Sequence, residues 1–391
     1  MELPIYNCHI HTFTAAHIPD RFLPLGLNKI LKVKFIRRTL INLLVLVGRL
    51  AGLVGFLVPS PVVKAGASLF KTLYEWYSKI SSLTLDTLMR YDRFFETSGS
   101  AKQSDIFNRI CPQYPEKTRF IVLPMDMEFM GAGKPAVLYE GQISELAALR
   151  DELDRNELTR GQIIPFCAVD PRRENVVSEF KRWLKEYRLR GVKLYPNLGY
   201  LPNHEVLLKI YDICQSEKIP VLAHCSTGGI RAKGLSNAEA AAFAHPANYE
   251  PVLKQFKKLN FCLAHFGGVD EWERQIMSEA PRKGEDASWL TVITDLMKTG
   301  EYPNLYTDIA YTLFCESPRD RPFNYFDYLK VMLNEERVRE HVLFGTDFYM
   351  VQLEKSSDKE ISIALRAHLG EELYSQLAHH NPMKFLYEVT E

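Results

Sequence analysis

Eight short apolar runs recur along this chain, and most are followed by a stretch in which apolar residues repeat at helical spacing. Each run is rich in Val, Ile, Leu, Phe or Tyr, and most are bounded by Pro, Gly or Asn. Short continuous apolar runs of this kind are typical of parallel strands that are buried on both faces. The runs cover residues 5–13, 119–126, 163–170, 191–196, 220–226, 260–266, 304–311 and 341–349.

The stretches between the runs favour helices. In residues 175–190, the side chains of Val176, Phe180, Trp183 and Tyr187 recur at helical spacing. The same pattern is found in residues 205–218, 250–258 and 325–333. Eight strand–helix units predict an α/β protein with a (β/α)8 TIM barrel, in one domain spanning residues 1–391. A doubly wound open sheet is the competing fold, but no GxGxxG sequence follows a strand.

The spacing of the runs is uneven, because residues 14–118 separate the first strand from the second. A connection of this length is far longer than an ordinary loop and is usually a lid or a binding element. Residues 69–93 show helical spacing, so we expect residues 14–118 to form a helical cap beside the barrel mouth. Residues 226–250 form a second, shorter insertion, and residues 353–391 predict terminal helices.

One segment of this insertion, residues 41–58, is apolar enough to raise the question of a membrane. A span needs about 20 predominantly apolar residues, and this run is interrupted by Arg49, which is costly at a bilayer centre. A buried cap helix is the favoured interpretation. Contact with a membrane surface and a true span are kept as alternatives.

Charge and cysteine content narrow the class of protein. Lysine plus arginine and aspartate plus glutamate both total 48, so the formal net charge is zero. A nucleic-acid-binding surface would require a basic excess, so nucleic acid is not expected as a partner. The seven cysteines include no CxxC pair, which favours free thiols in a reducing compartment. With no signal sequence evident at the N-terminus, we expect a cytoplasmic protein, and a homo-oligomer is left open.

Polar residues that bind metals stand at the ends of several of the predicted strands. His9 and His11 lie at the end of the first run and, being two apart, share one face of a strand. The carboxyl ends of barrel strands meet at one mouth, where the chemistry of such folds takes place. The residues expected there are His9, His11, Lys193, His224, His265 and Asp347. Nearly buried histidines and aspartate need partners, and a shared divalent metal, with zinc best suited to imidazole and carboxylate, satisfies them together.

This order of residues resembles the amidohydrolase superfamily of metal-dependent barrel enzymes. The sequences VDPRR (169–173), GVKLYP (191–196), LAHFGG (263–268) and LFGTDF (343–348) are similar to its amidohydrolase-related branch. That branch includes aminocarboxymuconate-semialdehyde decarboxylase and related hydrolases. The resemblance implies a metal-dependent hydrolase in which metal-activated water attacks an amide, ester or lactone-type bond of a small molecule.

The resemblance also implies roles for the residues. His9, His11, Asp347 and His224 would hold the metal, which is zinc or, as alternatives, manganese or iron. Asp347 would act as the general acid/base, and His265, if it is not a ligand, would polarise the substrate carbonyl or stabilise the oxyanion. In two-metal members of the superfamily a lysine on the fourth strand is carboxylated. Lys193 and His265 could therefore hold a second ion, although one ion is favoured.

The substrate is less defined by the sequence. Lys193, Tyr195, Arg173 and Arg231 are candidates for binding it, the arginines through a carboxylate. Asp126 and Asp308 end the second and seventh runs, and there we favour local hydrogen bonding over substrate contact.

Two other functions remain open at this point. One is a non-oxidative decarboxylase of a small carboxylic acid that uses the same metal site. The other is a non-catalytic metal-containing binding protein whose cap contacts a membrane or a partner.

Overall fold

The computed structural model describes residues 3–22, 94–277, 287–313, 324–350 and 357–388. The apolar segment 41–58 and the helical pattern of residues 69–93 lie outside these ranges, as does most of the predicted cap. The expectations for those segments therefore stay predictions. Within the described residues, no helix has the length and apolar character needed to cross a membrane.

Eight parallel strands form one sheet in the order of the sequence, β1 to β8. Every predicted run contains one of them, which confirms the (β/α)8 barrel. The strands are β1 Tyr6–Ile10, β2 Arg119–Val122, β3 Ile163–Ala168, β4 Gly191–Leu194, β5 Val221–Ser226, β6 Phe261–Gly267, β7 Leu305–Asp308 and β8 Val342–Leu343.

The barrel closes between its last strand and its first through main-chain hydrogen bonds. The Cys8 N–H donates to the Phe344 carbonyl at 2.8 Å, and the Asp347 N–H donates to the His9 carbonyl at 2.8 Å. A single parallel bridge joins Ile10 to Phe348. The backbone beyond the two-residue β8 therefore continues along β1, which places residues 344–348 at the barrel mouth.

Helices lie between the strands and cover the outside of the barrel. In the third of them, Val176, Phe180 and Trp183 are buried, as their spacing predicts. The described helices are α1 Gln103–Ile110, α2 Tyr139–Leu153, α3 Val176–Glu186, α4 Glu205–Glu217, α5 Asn237–Ala244, α6 Glu250–Gln255, α7 Val269–Met277, α8 Trp289–Thr299, α9 Tyr325–Leu333, α10 Glu336–Arg339, α11 Asp358–Ser375 and α12 Asn381–Tyr387.

The barrel interior is a separate apolar cluster, built from strand residues and closed at the bottom by Phe385 and Leu386 of α12. Tyr6 and Cys8 of β1 belong to it. Strict alternation after Cys8 would turn His9 outward, but the pairing of β1 with β2 shifts register between Asn7 and Ile10. Such a bulge allows two consecutive side chains to face the same side of the sheet. His9 therefore points into the barrel mouth.

Candidate metal centre

Four imidazoles meet at the carboxyl-terminal mouth of the barrel. The ring centres of His9 and His11 are 5.4 Å apart, those of His9 and His265 are 4.7 Å apart, and those of His224 and His265 are also 4.7 Å apart. All four side chains are buried. The structure therefore brings together the histidines that the sequence predicts as one cluster.

Asp347 and Lys193 complete this cluster. The Oδ1 atom of Asp347 lies 3.1 Å from Nε2 of His11 and 3.7 Å from Nε2 of His9. The Nζ atom of Lys193 lies 3.5 Å from the same Nε2 of His9. All six predicted residues thus surround one point at the end of the barrel.

The tautomers of three histidines follow from main-chain carbonyls, which can only accept a hydrogen bond. Nδ1 of His11 donates to the Leu123 carbonyl at 2.7 Å, and Nδ1 of His265 donates to the Ala310 carbonyl at 3.0 Å. In the neutral form, each ring then carries its lone pair on Nε2. His224 has the opposite arrangement, as its Nε2 donates to the carbonyl of Gly228 at 2.9 Å and leaves the lone pair on Nδ1.

Asp308, at the end of β7, orients the fourth histidine. Its Oδ2 atom lies 2.9 Å from Nδ1 of His9, which donates to it and keeps its lone pair on Nε2. Its Oδ1 atom accepts the N–H groups of His265 at 2.8 Å and Ala310 at 3.0 Å. The local hydrogen-bonding role favoured from the sequence is the one observed, but its partner is a member of the histidine cluster. The only sign of this role in the sequence was the position of Asp308, a polar residue at the end of the seventh run.

Burial sets the charge state of these groups. It lowers the pKa of His9 and of His224 well below the ordinary value, and the nearby Lys193 ammonium lowers both further. Burial, with His224 beside it, likewise lowers the pKa of His265. Burial also lowers the pKa of Lys193 to about 8. Neutral imidazoles are the form in which histidine binds metals.

The cluster brings possible ligand atoms close together. In the neutral form of His11 the Nε2 atom carries a lone pair, and it lies 3.1 Å from the Asp347 Oδ1 atom, which is buried and has no hydrogen-bond partner among the described residues. Nδ1 of His224 is also buried and without a hydrogen-bond partner among the described residues, although His224 belongs to neither of the groups close enough to share an ion. Ligand atoms of a zinc ion bound at about 2.0–2.1 Å lie roughly 3 to 3.5 Å apart. The spacing and chemistry of this set therefore fit a divalent cation.

Two groups of three residues in the described part of the chain are close enough to share an ion: His9, His11 and Asp347, and His9, His265 and Asp308. The second group is less available, because both oxygens of Asp308 already accept hydrogen bonds. In the first group, the Oδ1 atom of Asp347 has no hydrogen-bond partner among the described residues, so this group is the better candidate.

Two residues of the cluster, His265 and Asp347, have backbone conformations that are rare for residues other than glycine. His265 has a φ of +67° and Asp347 a φ of +64°, in the left-handed region that residues with a side chain rarely adopt. Alternation along β6 would turn His265 away from the interior, since Ala264 already faces it. The left-handed turn, held by the bond from the His265 N–H to Asp308, brings the imidazole back toward the mouth. Strained residues of this kind cluster at functional sites.

A cavity of about 560 Å3 opens beside the histidines. The described side chains that line it are mainly apolar or aromatic, with a few charged groups around them. The apolar ones include Phe13, Phe22, Phe94, Met125, Met130, Ile230, Leu235 and Met350. Arg231 and Lys233 supply positive charge from the loop after β5, and Asp270 supplies negative charge. The volume suits a small molecule.

Tyr195 forms one wall of this cavity. Its ring stacks on His224 with 4.2 Å between ring centres, and its hydroxyl oxygen accepts the Ile230 N–H at 2.9 Å. Gly229 passes so close that an added Cβ atom would lie 2.4 Å from that hydroxyl oxygen. A side chain at position 229 would therefore force Tyr195 or His224 to move if the loop after β5 kept this path.

The two candidate arginines differ in position. Arg231 lines the cavity and is exposed. Arg173 lies elsewhere, with its guanidinium 2.8 Å from Asp126 and 3.1 Å from Glu128. Because two carboxylates already hold Arg173, we do not include it in the proposed substrate site. Asp126 has the local role that we favoured from the sequence.

Comparison with known proteins gives distant structural relatives. An uncharacterised TIM-barrel protein from Bordetella bronchiseptica is 14% identical, with a TM-score of 0.49 over 74% of this chain and 83% of that one. A probable 2-pyrone-4,6-dicarboxylic acid hydrolase from Acinetobacter baumannii, with citric acid bound, is 13% identical, with a TM-score of 0.47 over 73% and 89%. Amidohydrolase 2 from Bifidobacterium longum subsp. infantis is 12% identical, with a TM-score of 0.42 over all of both chains.

These structural likenesses are too distant to support an argument about activity. No curated protein sequence matches the chain. A sequence model of the family described as Amidohydrolase does match, over residues 139–387, which is more than half of the chain and includes β3 to β8 with Lys193, His224, His265 and Asp347. The resemblance seen in the sequence motifs is thereby confirmed, and the chain belongs to the amidohydrolase family.

Proposed function

We propose that this hydrolase of the amidohydrolase family cleaves an amide, ester or lactone-type bond in a small molecule, with Asp347 as the general acid/base. The observation that carries the proposal is the buried Oδ1 atom of Asp347, which lies 3.1 Å from Nε2 of His11 and has no hydrogen-bond partner among the described residues. The Asp347 carboxylate thus lies at the mouth of the cavity with an oxygen that no described group occupies. It would take the proton of the attacking water and return it to the leaving group.

The residues that would hold the metal are His9, His11 and Asp347, with His224 as a further ligand. When bound, a divalent metal activates water for attack at neutral pH and stabilises the charge that develops on the substrate oxygen. Three imidazoles and one carboxylate suit zinc. We favour one ion, because both oxygens of Asp308 are already engaged in hydrogen bonds and the second group of donors is therefore incomplete.

His265 has a different part in this proposal from the one that the sequence suggests. Its Nδ1 proton is held by the Ala310 carbonyl, so the neutral ring presents a lone pair on Nε2 to the site. In that form it accepts a proton and cannot donate one. Polarising a substrate carbonyl would require a protonated ring, which the lowered pKa of His265 disfavours, so we assign its Nε2 atom to accepting a hydrogen bond from the attacking water alongside Asp347.

The substrate would occupy the cavity beside the histidines. Its apolar and aromatic lining suits a hydrocarbon or aromatic body, and Tyr195 lies against His224 at the reacting end. Arg231, exposed on the loop after β5, is placed to bind a carboxylate of the substrate. Lys193 is buried beside His9 and is not among the described residues that line this cavity, so it would place positive charge behind the metal ligands rather than bind the substrate directly.

The test is an activity screen of zinc-loaded protein on amides, esters and lactones, with release of CO2 followed in parallel. Asp347→Asn should keep the fold and lose turnover by about 10²- to 10⁴-fold, the usual contribution of a positioned acid/base. Asp270→Asn is the matched control, since Asp270 also lines the cavity but belongs to neither group of metal-binding residues. Full activity of Asp347→Asn would refute its role, and release of CO2 without hydrolysis would replace the reaction by decarboxylation.

Metal content tests the ligands separately. His9→Ala combined with His11→Ala should remove most of the bound metal measured by elemental analysis. Unchanged metal per chain would refute the assignment of these ligands. Two equivalents of metal, together with the added mass of a carboxyl group on Lys193, would overturn the preference for one ion.

A further inference from the structure

A second buried polar cluster lies directly behind the histidines, on the outer side of β1. It consists of Asn7, Tyr114, Thr346 and Asp358, and all four are buried. They come from four distant parts of the sequence: β1, the segment before β2, the backbone beyond β8 and the first turn of α11. None of these side chains lines the cavity. A polar network inside an apolar wall needs a reason, because each of its groups has to be satisfied without water.

The network begins at the main chain of the metal-binding segments. Oδ1 of Asn7 accepts the N–H of His9 at 3.3 Å and the N–H of Thr346 at 3.2 Å. Thr346 immediately precedes Asp347 in the sequence. One amide oxygen thus ties the backbone of His9, a predicted metal ligand on β1, to the residue that precedes the predicted acid/base.

The direction of the hydrogen bonds follows from that anchor. With its oxygen occupied by two N–H groups, Asn7 donates through Nδ2 to the hydroxyl oxygens of Thr346 at 2.8 Å and Tyr114 at 3.0 Å. Both hydroxyls in turn donate to Oδ1 of Asp358, and the bond from the Tyr114 hydroxyl is 3.1 Å long. All the donors therefore end on a single carboxylate oxygen. The other oxygen of Asp358, Oδ2, has no partner among the described residues.

We propose that Asp358 is a positioning residue for the metal centre, acting through Thr346 and Asn7 on the placement of Asp347 and His9. Asp347 holds a left-handed backbone conformation that is strained for a residue with a side chain, so it needs neighbours that fix it. The bond from Thr346 to Asp358 holds the residue before that turn. Removing the last acceptor of the network would leave the protons of two buried hydroxyls without an acceptor and release this constraint.

The inference rests on the proposed metal site, and its test measures zinc affinity rather than turnover. Zinc would be titrated into metal-stripped protein against a chromophoric chelator. Asp358→Ala should weaken zinc binding by about 10- to 100-fold, as loss of a residue that orients metal ligands usually does. Asp358→Asn should restore binding to within about threefold of the parent, because its amide oxygen can replace Oδ1 and its NH2 group takes the place of an oxygen that has no partner.

A second pair of variants guards against misfolding of Asp358→Ala. Thr346→Val removes only the hydroxyl and should weaken zinc binding in the same direction, whereas Thr346→Ser should restore it. Glu271→Ala is the control, because Glu271 is an equally buried carboxylate whose partners are the Trp289 N–H and Arg274. It should lower the free energy of unfolding without changing zinc affinity. Parent-like zinc binding by Asp358→Ala and Thr346→Val, or an equal loss in Glu271→Ala, would overturn the proposal.

Amide hydrogen exchange separates this inference from the proposed function. Thr346→Val and Asp358→Ala should speed exchange in residues 6–11 and 343–348 of metal-free protein, and Glu271→Ala should not. If the parent protein binds no zinc, the proposed metal site fails, yet exchange in these two segments still decides whether Asp358 positions them. Unchanged exchange in both segments would refute the positioning role.

Discussion

Replacing Asp308 by asparagine should switch the tautomer of His9. Oδ1 of Asp308 accepts two backbone N–H groups, so the amide oxygen of the asparagine has to occupy that position. The amide NH2 then takes the place of Oδ2, which lies 2.9 Å from Nδ1 of His9. A donor now meets a donor, and the neutral ring relieves the conflict by moving its proton to Nε2. That nitrogen is the one that faces Asp347 and would bind the metal.

The magnitude follows from the bond that is lost. A hydrogen bond to a charged group contributes about 1.5–3 kcal/mol, and each 1.4 kcal/mol is a factor of ten in affinity. We therefore expect zinc binding to weaken by about 10- to 100-fold in Asp308→Asn, in line with the usual effect of changing a residue that orients a metal ligand. The two backbone bonds to Oδ1 are kept, so the variant should remain folded.

The assay is a competition titration with zinc and a chromophoric chelator, with the free energy of unfolding of metal-free protein measured by urea. Asp126→Asn is the control, since it removes another buried carboxylate at a strand end, bound to Arg173 and outside the histidine cluster. Zinc affinity that is equal in Asp308→Asn and the parent protein would refute the tautomer argument. So would an equal loss in Asp126→Asn.

Two further predictions concern the loop after β5 and the pH dependence of folding. Gly229→Ala should destabilise the protein by about 1–3 kcal/mol and weaken zinc binding, because its φ of +106° is strained for alanine and the new Cβ atom meets Tyr195. Gly234→Ala in the same loop, at a φ of +93° but with open space around it, isolates the clash in urea unfolding. Burial lowers the pKa of His17 to about 4 from 6.5. Between these two pH values, His17 is therefore protonated in the unfolded chain and neutral in the folded protein. Its contribution, at most about 3 kcal/mol, is complete above pH 6.5 and is lost as the pH falls toward 4, and His17→Gln should show a smaller loss of stability between pH 7 and 4.

The barrel could be predicted because each strand is buried on both faces and therefore leaves a continuous apolar run. The run at residues 341–349 shows the limit of that argument, since the strand itself is only Val342–Leu343. The rest of the run is buried without forming a regular ladder, with Phe344 and Phe348 bonded to β1 through their carbonyls. Apolar residues report burial, and they do not report whether the backbone is paired.

The membership of the histidine cluster could also be predicted, because the polar residues stand at strand ends and the barrel brings these ends together. The backbone geometry that turns His9 and His265 into the mouth could not be predicted. His9 depends on a register shift in β1, and His265 depends on its own left-handed conformation in β6, and both features are set by neighbouring strands. The salt bridges that hold Arg173 away from the substrate site could not be predicted either, because they depend on the tertiary structure. Their partners, Asp126 and Glu128, are distant from Arg173 in the sequence.

The anchoring of the four imidazoles has a consequence for how this site can change over evolutionary time. Three of the four anchors are main-chain carbonyls, of Leu123, Gly228 and Ala310, so no point substitution can delete them. Only His9 depends on a side chain, that of Asp308. Among these four hydrogen bonds, a point mutation can therefore remove the acceptor only at the codon for Asp308. A homologue that has lost its aspartate there would be the first place to look for a centre that has drifted to another metal or lost its chemistry.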